Sequence, residues 1–437
     1  MKVHFMGIGG AGASACAAIA VSAGFKVSGC DIAKSGYLSK LTKIKIEIGH
    51  SKKHLKNCDL LIISPAILKF DPKNFEILEA KSRRIRVLTW QEFMGKFLQK
   101  GKRVITVAGT HGKSTTTAMI SHILEDTGFD PTVEVGAVDL AWRKNFRVGD
   151  SKWFVCEADE YNNNFFNYQP EIAVISNIDW DHPDFFKDEE SVFESFVSFI
   201  KQNHKLESLF VSPQAVGIKR FLVELFGEKK AAEYLELVKF SEIKFKLKIP
   251  GEHNLTNANL AAAVVKRLGV QPLQIKNSLE NFFGLERRLE FIGKLGKTKI
   301  YDDFAHHPAE IKATFEALTE QSPKASICLI FQPHTYSRTK AFFSDFVSTF
   351  KKTNLSKVVF TDIFASREKT DLGISSHDLA AAVGNNAVYV STLTGVADWI
   401  SKNFQNFDLI ATVGAGDIGK IWDLPQFKVK LKHVRNY

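Results

Sequence analysis

The chain has 437 residues, of which 45% are hydrophobic and 24% charged, as is typical of a globular protein with two or three domains. No apolar run approaches the roughly 20 residues that cross a bilayer, and the first strand-like run begins at once, which leaves no room for a signal peptide. The formal net charge of +10 is scattered, so no basic stripe predicts nucleic-acid binding. We therefore expect a cytoplasmic protein that binds neither nucleic acid nor membrane.

The cysteine content argues against a disulfide framework. The cysteines lie far apart, are odd in number and include no CxxC pair. This pattern favours reduced thiols over disulfides or a zinc site. The five are Cys16, Cys30, Cys58, Cys156 and Cys328.

Short β-branched runs alternate with helical stretches along the whole chain, from VHFMGI to DLIATVG. This alternation is typical of doubly wound, mostly parallel α/β sheets. The alternation restarts near residues 100–102 and again near residues 287–293. We therefore predict three α/β domains, at residues 1–100, 101–290 and 291–437.

A first glycine loop follows the opening strand. Gly7, Gly9 and Gly12 fit the pattern GxGxxG, and Asp31 closes the next predicted strand, FKVSGCD. Such glycines permit a tight turn and close approach of the backbone to a diphosphate, and the acid suits a ribose hydroxyl. The pattern alone also fits a nicotinamide-dependent oxidoreductase, or glycines that only let a helix pack closely on a strand. It predicts a Rossmann-like unit that binds a diphosphate.

A second glycine loop, AGTHGKSTTT, predicts a P-loop-type site for ATP or GTP. It lacks the first glycine of GxxxxGK[ST], because Val107 stands there. It keeps the backbone N–H groups of residues 109–112 to cradle phosphates, Lys113 for the β- and γ-phosphates, and the Ser114 hydroxyl for Mg²⁺. A kinase or a nucleic-acid-binding ATPase would carry the same loop, so the sequence that follows must discriminate.

Acidic side chains follow the next two predicted strands. One strand leads into Glu157, Asp159 and Glu160, and the next leads into Asp181 and His182. Ligand sites of α/β sheets form at the carboxyl ends of strands, and hard cations prefer oxygen ligands. We expect Mg²⁺ (or Mn²⁺) here, with His182 at a second metal position.

The chain resembles the Mur ligases, the ATP-dependent amide-forming enzymes of peptidoglycan synthesis, along nearly all of its length. GIGGAG, GTHGKSTTT, EADE, NIDxDH and GEHNxxN carry the resemblance to the family. ERRLE, YDDFAHHPAEI, FQPHTYSRTK, DIFASREK (362–369) and GAGDI resemble the branch that adds the first amino acid. The resemblance implies an α/β fold of three domains: a Rossmann-like N-terminal domain, a central P-loop-type ATP-binding domain and a C-terminal Rossmann-like domain.

The resemblance also implies substrates and a reaction. The three domains would bind UDP-N-acetylmuramate, ATP and L-alanine, in that order. The lactyl carboxylate would take the γ-phosphoryl group, and the L-alanine amine would then displace phosphate from the acyl phosphate. A similar recycling ligase attaches a tripeptide to the same nucleotide sugar, and FQPHTYSRTK and GAGDI argue against that alternative.

The same resemblance implies residue roles. Lys113, Glu157 and His182 would be catalytic, and Ser114 would join Glu157 and His182 in holding the metals. The implied ATP-binding residues are Gly109, Thr110, His111, Gly112, Lys113, Ser114, Thr115, Asn254, Asn257, Arg288 and Asp303, the last two reaching ATP when the third domain closes. The implied substrate-binding residues are Gly9, Gly10, Ser64, His306 and Arg338, with His306 and Arg338 near the alanine carboxylate or the intermediate phosphate.

Two positions depart from family patterns. Several Mur ligases carry a metal-bridging carbamylated lysine where this chain has Val197, and the alanine-adding branch also lacks that lysine. Thr335 stands where many members have arginine, which leaves Arg338 as the arginine implied for alanine or phosphate contacts.

Overall fold

The structure is a computed structural model that describes residues 1–237, 244–366, 368–428 and 431. Arg367 of the DIFASREK motif and most of the basic tail FKVKLKHVRNY lie outside the described residues. None of the described helices is long and apolar enough to cross a membrane. The five cysteines are free thiols, which confirms the prediction that they form no disulfides.

The N-terminal sheet has five parallel strands in the order β3-β2-β1-β4-β5. Its central strands are almost fully buried, as expected for strands covered on both faces. The strands are β1 Lys2–Met6, β2 Lys26–Asp31, β3 Lys45–Ile48, β4 Leu60–Ile63 and β5 Arg86–Thr89, and the helices are α1 Ala11–Ser22, α2 Pro65–Phe70, α3 Phe75–Ser82 and α4 Trp90–Phe93.

The central sheet has six strands in the order β11-β10-β6-β9-β7-β8, all parallel except the β7–β8 hairpin. The strands are β6 Arg103–Ala108, β7 Thr132–Asp139, β8 Lys144–Arg147, β9 Trp153–Glu157, β10 Ile172–Ile175 and β11 Ser208–Val211. The helices are α5 Lys113–Asp126, α6 Glu189–Lys201, α7 Ile218–Phe226, α8 Glu228–Leu237, α9 Glu252–Arg267 and α10 Pro272–Asn281.

The C-terminal sheet also has six strands, in the order β12-β13-β17-β14-β15-β16, with only β12 antiparallel. Alternate residues of the central strand β14 enter two different hydrophobic clusters, so this sheet is packed on both faces. The strands are β12 Glu290–Leu295, β13 Thr298–Asp303, β14 Ile327–Phe331, β15 Lys357–Phe360, β16 Ala387–Tyr389 and β17 Leu409–Val413, and the helices are α11 Pro308–Gln321, α12 Tyr336–Ala341, α13 Phe343–Lys352, α14 Ser376–Val383, α15 Leu393–Asn403 and α16 Pro425–Lys428.

Three α/β sheets confirm the predicted fold class. By contact density the chain divides into two compact units, which we treat separately: a first unit of residues 1–179, 189–246 and 256–282, and a second unit of residues 180–188, 247–255 and 283–437. The N-terminal and central sheets both belong to the first unit. The domain boundaries near residues 100 and 290 remain predictions.

Each glycine loop of the first unit follows a strand that has neighbours on both sides. β1 lies between β2 and β4, and β6 lies between β10 and β9. In each sheet the strands that follow are added first on one side of this strand (β2 and β3, or β7 to β9) and then on the other (β4 and β5, or β10 and β11), so the strand order reverses there. In open parallel sheets, ligands bind in the crevice at the carboxyl ends of the strands at such a reversal. The fold therefore places both loops where phosphate sites form.

Candidate functional site

The first glycine loop is held by the side chain of Asp31. Gly7 has a left-handed backbone with φ of +79°, which glycine adopts without strain. The Gly9 N–H donates to Oδ2 of Asp31 over 2.7 Å, and the Ile32 N–H donates to Oδ1 over 2.8 Å. The carboxylate therefore fixes the loop itself. This structural role accounts for the acid at the end of β2 without a nicotinamide ribose.

The other glycines of this loop differ in the space around them. Gly10 is exposed, and a Cβ built there would meet only the Gly7 carbonyl oxygen, 3.7 Å away. A Cβ on Gly12 would collide with the Trp90 ring, so this glycine serves close packing. Ser64 lies beside the loop at the start of α2, with its Cβ 3.1 Å from where a Cβ on Gly7 would lie. The structure thus brings together the three predicted residues Gly9, Gly10 and Ser64.

The second glycine loop forms a tight turn into α5. Gly109 and Gly112 have φ of +136° and +80°, a region that residues with side chains rarely adopt. A Cβ on Gly112 would lie 2.6 Å from Oδ1 of Asn257, so only glycine fits this close approach. The predicted ATP-binding residue Asn257 therefore lies against the P-loop.

Side chains from the segment after β10 anchor the same loop. The His111 N–H donates to Oδ1 of Asn177, and the Asn177 amide donates back to the His111 carbonyl, both over 2.9 Å. The Thr110 hydroxyl donates to the Asp179 carbonyl over 2.9 Å. These bonds tie the P-loop to the adjacent strand end and fix the direction of its backbone N–H groups.

Lys113 is the first residue of α5, and its ammonium group pairs with Glu160. Nζ lies 2.8 and 3.0 Å from the two oxygens of the Glu160 carboxylate, which is 1% exposed, and donates to the Gly109 carbonyl over 2.6 Å. Burial alone would lower the pKa of Lys113, but Glu160 and the nearby Asp159 and Glu157 outweigh it and raise that pKa. The lysine is therefore cationic and held over the loop.

Glu157, the predicted metal ligand at the end of β9, lies beside a further carboxylate, that of Glu134. The Gly136 N–H donates to Oε1 of Glu157, and the Glu157 N–H donates to Oε2 of Glu134 over 3.3 Å. Burial and the Glu157 carboxylate raise the pKa of Glu134 well above its usual range. Ser114 is buried in the first turn of α5, and Thr115 follows it. Hydroxyl and carboxylate oxygens in a site that crowds negative charge fit a hard divalent cation.

In the second unit, Asp181 is the centre of an ionic cluster. Arg338 donates to it through Nε and Nη2, over 2.8 and 3.1 Å, and both side chains are buried. Burial alone would raise the pKa of Asp181, but Arg338, with contributions from His182 and His306, holds it well below its usual range. The adjacent His182 has φ of +56° and places Nε2 3.8 Å from Asp181.

Two donors of Arg338 are thus bonded to Asp181. The resemblance implied contacts of Arg338 with alanine or phosphate instead. Its Nη1 lies 3.1 Å from Nδ1 of His334. His306 is also near, with Nε2 3.9 Å from Asp181, and burial lowers the pKa of His306 to about 4. The structure brings together the three predicted residues His182, His306 and Arg338.

The remaining predicted residues of the second unit are Asn254, Arg288 and Asp303. Asn254 is buried and donates to the Pro250 carbonyl over 2.7 Å. Asp303 ends β13 and accepts from the Thr314 hydroxyl over 2.6 Å, and burial raises the pKa of Asp303 to about 6. The Arg288 guanidinium lies 5.1 Å from the centre of the Phe304 ring.

Three residues that contact the candidate site residues or their neighbours were given no role from the sequence. They are Glu134 in the first unit, and Arg287 and His334 in the second. Glu134 lies in the largely apolar strand TVEVGAVD, where it and Asp139 are both buried acids. Arg287 donates to Asp302 and to the Gly414 and Gly416 carbonyls, although ERRLE drew attention to Arg288. His334 precedes Arg338 by four residues in FQPHTYSR and lies just before Thr335, the N-cap of α12.

Family models of the Mur ligases match the chain in three consecutive ranges. The Mur ligase family catalytic domain matches residues 2–102, the Mur ligase middle domain matches residues 107–265, and the Mur ligase glutamate ligase domain matches residues 287–416. Together these ranges contain most of the described strands and both glycine loops.

Individual relatives extend this result over the whole chain. A UDP-N-acetylmuramate–L-alanine ligase of Acetivibrio thermocellus is 38% identical, covering 97% of this chain and 95% of the relative, and one of Caldicellulosiruptor bescii is 36% identical, covering 99% of both. The crystal structure of a UDP-N-acetylmuramate–alanine ligase from Thermotoga maritima superposes with a TM-score of 0.77 at 26% identity, covering 99% of both chains. A murein peptide ligase from Psychrobacter arcticus, with a TM-score of 0.68 at 18% identity and 99% coverage of both chains, shares the fold. With two relatives 36–38% identical over nearly its full length and three consecutive domain matches, this chain belongs to the Mur ligase family.

Proposed function

We propose that this chain is an ATP-dependent ligase of peptidoglycan synthesis that joins L-alanine to the lactyl carboxylate of UDP-N-acetylmuramate. The observation that carries the proposal is the pair of glycine loops on separate sheets, of which only the second contains a lysine. A ligase that consumes ATP and a nucleotide sugar needs a phosphate site for each. The names of the relatives from Acetivibrio thermocellus and Caldicellulosiruptor bescii support the same substrates.

In the first step a carboxylate oxygen of UDP-N-acetylmuramate attacks the γ-phosphorus of ATP, the bond to the β–γ bridging oxygen breaks, and ADP leaves. Attack of one anion on another needs positive charge around the transferred group. We assign this role to Lys113 and to the backbone N–H groups of Gly109 and Gly112, because Glu160 keeps the lysine charged and in place.

In the second step the L-alanine amine attacks the acyl carbon, phosphate departs and the nitrogen loses a proton. Phosphorylation supplies the leaving group that a carboxylate lacks, so no side-chain nucleophile is required. We propose that His306 contacts the alanine or the acyl phosphate. Its pKa of about 4 keeps the ring neutral at neutral pH, and Nδ1 lies 3.0 Å from the Phe304 carbonyl, which leaves Nε2 as the accepting nitrogen.

Mur ligases are ATP-dependent and use a divalent metal, and we propose that the metal here is Mg²⁺ (or Mn²⁺). Ser114 and Glu157 are the proposed ligands in the first unit, because their oxygens match the preference of a hard cation. His182 is the proposed ligand in the second unit. When bound, the metal would neutralise phosphate charge. Thr110, His111, Thr115, Asn254, Asn257, Arg288 and Asp303 remain the proposed further contacts of ATP.

Arg338 is proposed to act as a positioning residue. Its guanidinium holds Asp181, and Asp181 accepts the backbone N–H of His182 over 2.6 Å. The ion pair therefore fixes the backbone of His182 through the side chain of Asp181. This role replaces direct binding of the alanine carboxylate, because two of the donors of Arg338 already bind a buried acid.

Release of phosphate from ATP tests the proposed activity. We expect rapid release only when UDP-N-acetylmuramate and L-alanine are both present, because the acyl phosphate needs an acceptor amine. The same assay is run with glycine, L-serine and a tripeptide in place of L-alanine. Faster turnover with the tripeptide would assign the recycling reaction, and release independent of the nucleotide sugar would reject ligation altogether.

Replacement of the P-loop lysine tests the ATP site. Lys113→Ala should lower turnover about 100-fold or more while leaving the affinity for UDP-N-acetylmuramate unchanged, because a charge-assisted phosphate contact is lost. Because Lys113→Ala leaves Glu160 buried without its partner, the double variant Lys113→Ala with Glu160→Gln is measured beside the single variant. Lys152→Ala, at an exposed site, is the control. Turnover of either Lys113 variant within threefold of the unmodified enzyme would remove Lys113 from the active site.

A methyl group on the first glycine loop tests the diphosphate site. Gly10→Ala should raise the KM for UDP-N-acetylmuramate at least about tenfold, with little change in the KM for ATP, because the added Cβ blocks approach of the diphosphate to an otherwise open backbone. Gly36→Ala, also in open space, is the matched control. An equal rise in both KM values would contradict the assignment of the two loops to different ligands.

Removal of the buried arginine tests its positioning role. Arg338→Met should cost about 3–5 kcal/mol of unfolding free energy, because Asp181 is left buried and unpaired. Arg338→Met combined with Asp181→Asn should recover much of that stability but not the turnover, since His182 still loses its fixed neighbour. Denaturant unfolding and steady-state kinetics measure both effects, with the exposed Arg220→Met as control. Full turnover in the stable double variant would show that the pair serves stability alone.

A further inference from the structure

A cluster of potential metal ligands lies in the N-terminal sheet, apart from the proposed ATP site. It consists of His4, Cys30, His54 and Glu76, which we call the N-terminal cluster. Each residue offers one ligand atom, and these four atoms all lie within 4.8 Å of one another. His4, Cys30 and Glu76 are at most 2% exposed.

The fold assembles the cluster from four separate elements. The parallel register places His4 of β1 opposite Ser28 of β2, and Cys30 follows two residues later on the same face of the sheet. Glu76 lies in the first turn of α3. His54 lies in the short helical turn Lys52–Leu55 that precedes β4. No linear motif links these positions, so cysteine spacing gave no sign of the site.

Two of the distances in the cluster match the edges of a tetrahedral site. Nε2 of His4 lies 3.3 Å from Sγ of Cys30, and Sγ lies 3.4 Å from Oε2 of Glu76. Ligands of tetrahedral zinc, at about 2.0–2.3 Å from the ion, lie about 3.3–3.6 Å from one another. Nδ1 of His54 is closer to Glu76, at 2.5 Å from Oε1, so this pair must separate slightly to admit an ion.

The outer nitrogen of each histidine is already bonded to oxygen. Nδ1 of His4 lies 2.9 Å from the Ser28 hydroxyl, and Nε2 of His54 lies 3.3 Å from Oε2 of Glu47. Metal-bound histidines are typically oriented by such a partner on the other ring nitrogen. The bonds leave Nε2 of His4 and Nδ1 of His54 facing the cluster, as ligation requires.

Glu76 is oriented in the same way. Its Oε1 accepts the Ser51 N–H over 3.0 Å, and its Oε2 lies 3.0 Å from Nδ1 of His50. These contacts hold the carboxylate on α3 so that it faces the thiol of Cys30. A plain hydrogen-bonded network would use the same contacts, so binding of a metal is what distinguishes the two cases.

We propose that the N-terminal cluster is a structural site for a borderline-soft divalent cation of the zinc class. Thiolate sulfur together with imidazole nitrogen selects such ions over Mg²⁺, whereas the proposed metal ligands of the ATP site include no sulfur. A thiolate and a carboxylate together neutralise the charge of the ion. The inference does not depend on the proposed ligase activity.

The site would brace the backbone beside the first glycine loop. The Cys30 carbonyl accepts the N–H groups of Gly7 and Ile8, over 2.9 and 3.2 Å. An ion on Sγ of Cys30 would link β1, β2, α3 and the turn before β4 at this position. Because the metal binds the folded state, it stabilises the protein in proportion to its affinity.

Cobalt binding by the full-length protein tests the proposal. Chelator-treated protein is titrated with Co²⁺ in excess Mg²⁺, and the thiolate-to-cobalt charge-transfer absorption is recorded. We expect one equivalent of Co²⁺ to give this band with visible absorption of a tetrahedral ion, and Zn²⁺ to displace it. The thermal midpoint should rise on addition of Zn²⁺.

Matched cysteine variants identify the ligand. Cys30→Ser should lose the band and weaken Zn²⁺ binding more than about 100-fold, whereas Cys58→Ser, just before β4, should retain both. His54→Gln keeps the thiol and should still weaken binding, which maintains the test if Cys30→Ser fails to fold. Absence of a thiolate band, its persistence in Cys30→Ser, or unchanged Zn²⁺ affinity in His54→Gln would each overturn the proposal and leave the cluster as a hydrogen-bonded network.

Discussion

Both glycine loops lie at the carboxyl end of a central parallel strand, where the backbone of a loop can meet a phosphate. A phosphate can approach the backbone N–H groups only where no side chain intervenes, which is why left-handed or open glycines occupy these turns. The loops must also hold their shape when no phosphate is bound. Asp31 does this for the first loop by accepting the Gly9 N–H, and Asn177 does it for the second by bonding both sides of His111.

Two buried ion pairs, one in each unit, determine where proposed functional side chains lie. Lys113 is fixed by Glu160, and Asp181 beside His182 is fixed by Arg338. A single buried charge would cost several kcal/mol, so neither partner of such a pair can change alone without loss of structure. Arg338, which the resemblance implies for alanine or phosphate contacts, donates to Asp181, and this pairing supports the positioning role proposed for it.

Sequence predicted the α/β class and the Rossmann-like character of the first sheet because glycine spacing and strand alternation are local signals. It located both loops, since Gly109 and Lys113 must lie at fixed offsets from the end of β6. It could not assign a role to Glu134 or find the partner of Arg338. Both depend on contacts between side chains that are far apart in the sequence, and local periodicity carries no information about such contacts.

The N-terminal cluster shows the same limit more sharply. A zinc motif is recognisable in sequence when ligands are close along the chain, because a single turn then fixes their geometry. Here Cys30 follows His4 by 26 residues and reaches it through the parallel register of β1 and β2. In the proposed site, the register of the sheet brings the ligands together, as a CxxC turn does in shorter motifs. The thiol of Cys30 distinguishes this cluster from the proposed ATP site, whose proposed metal ligands include no sulfur, so two ions of different chemistry could be bound without competing for one site.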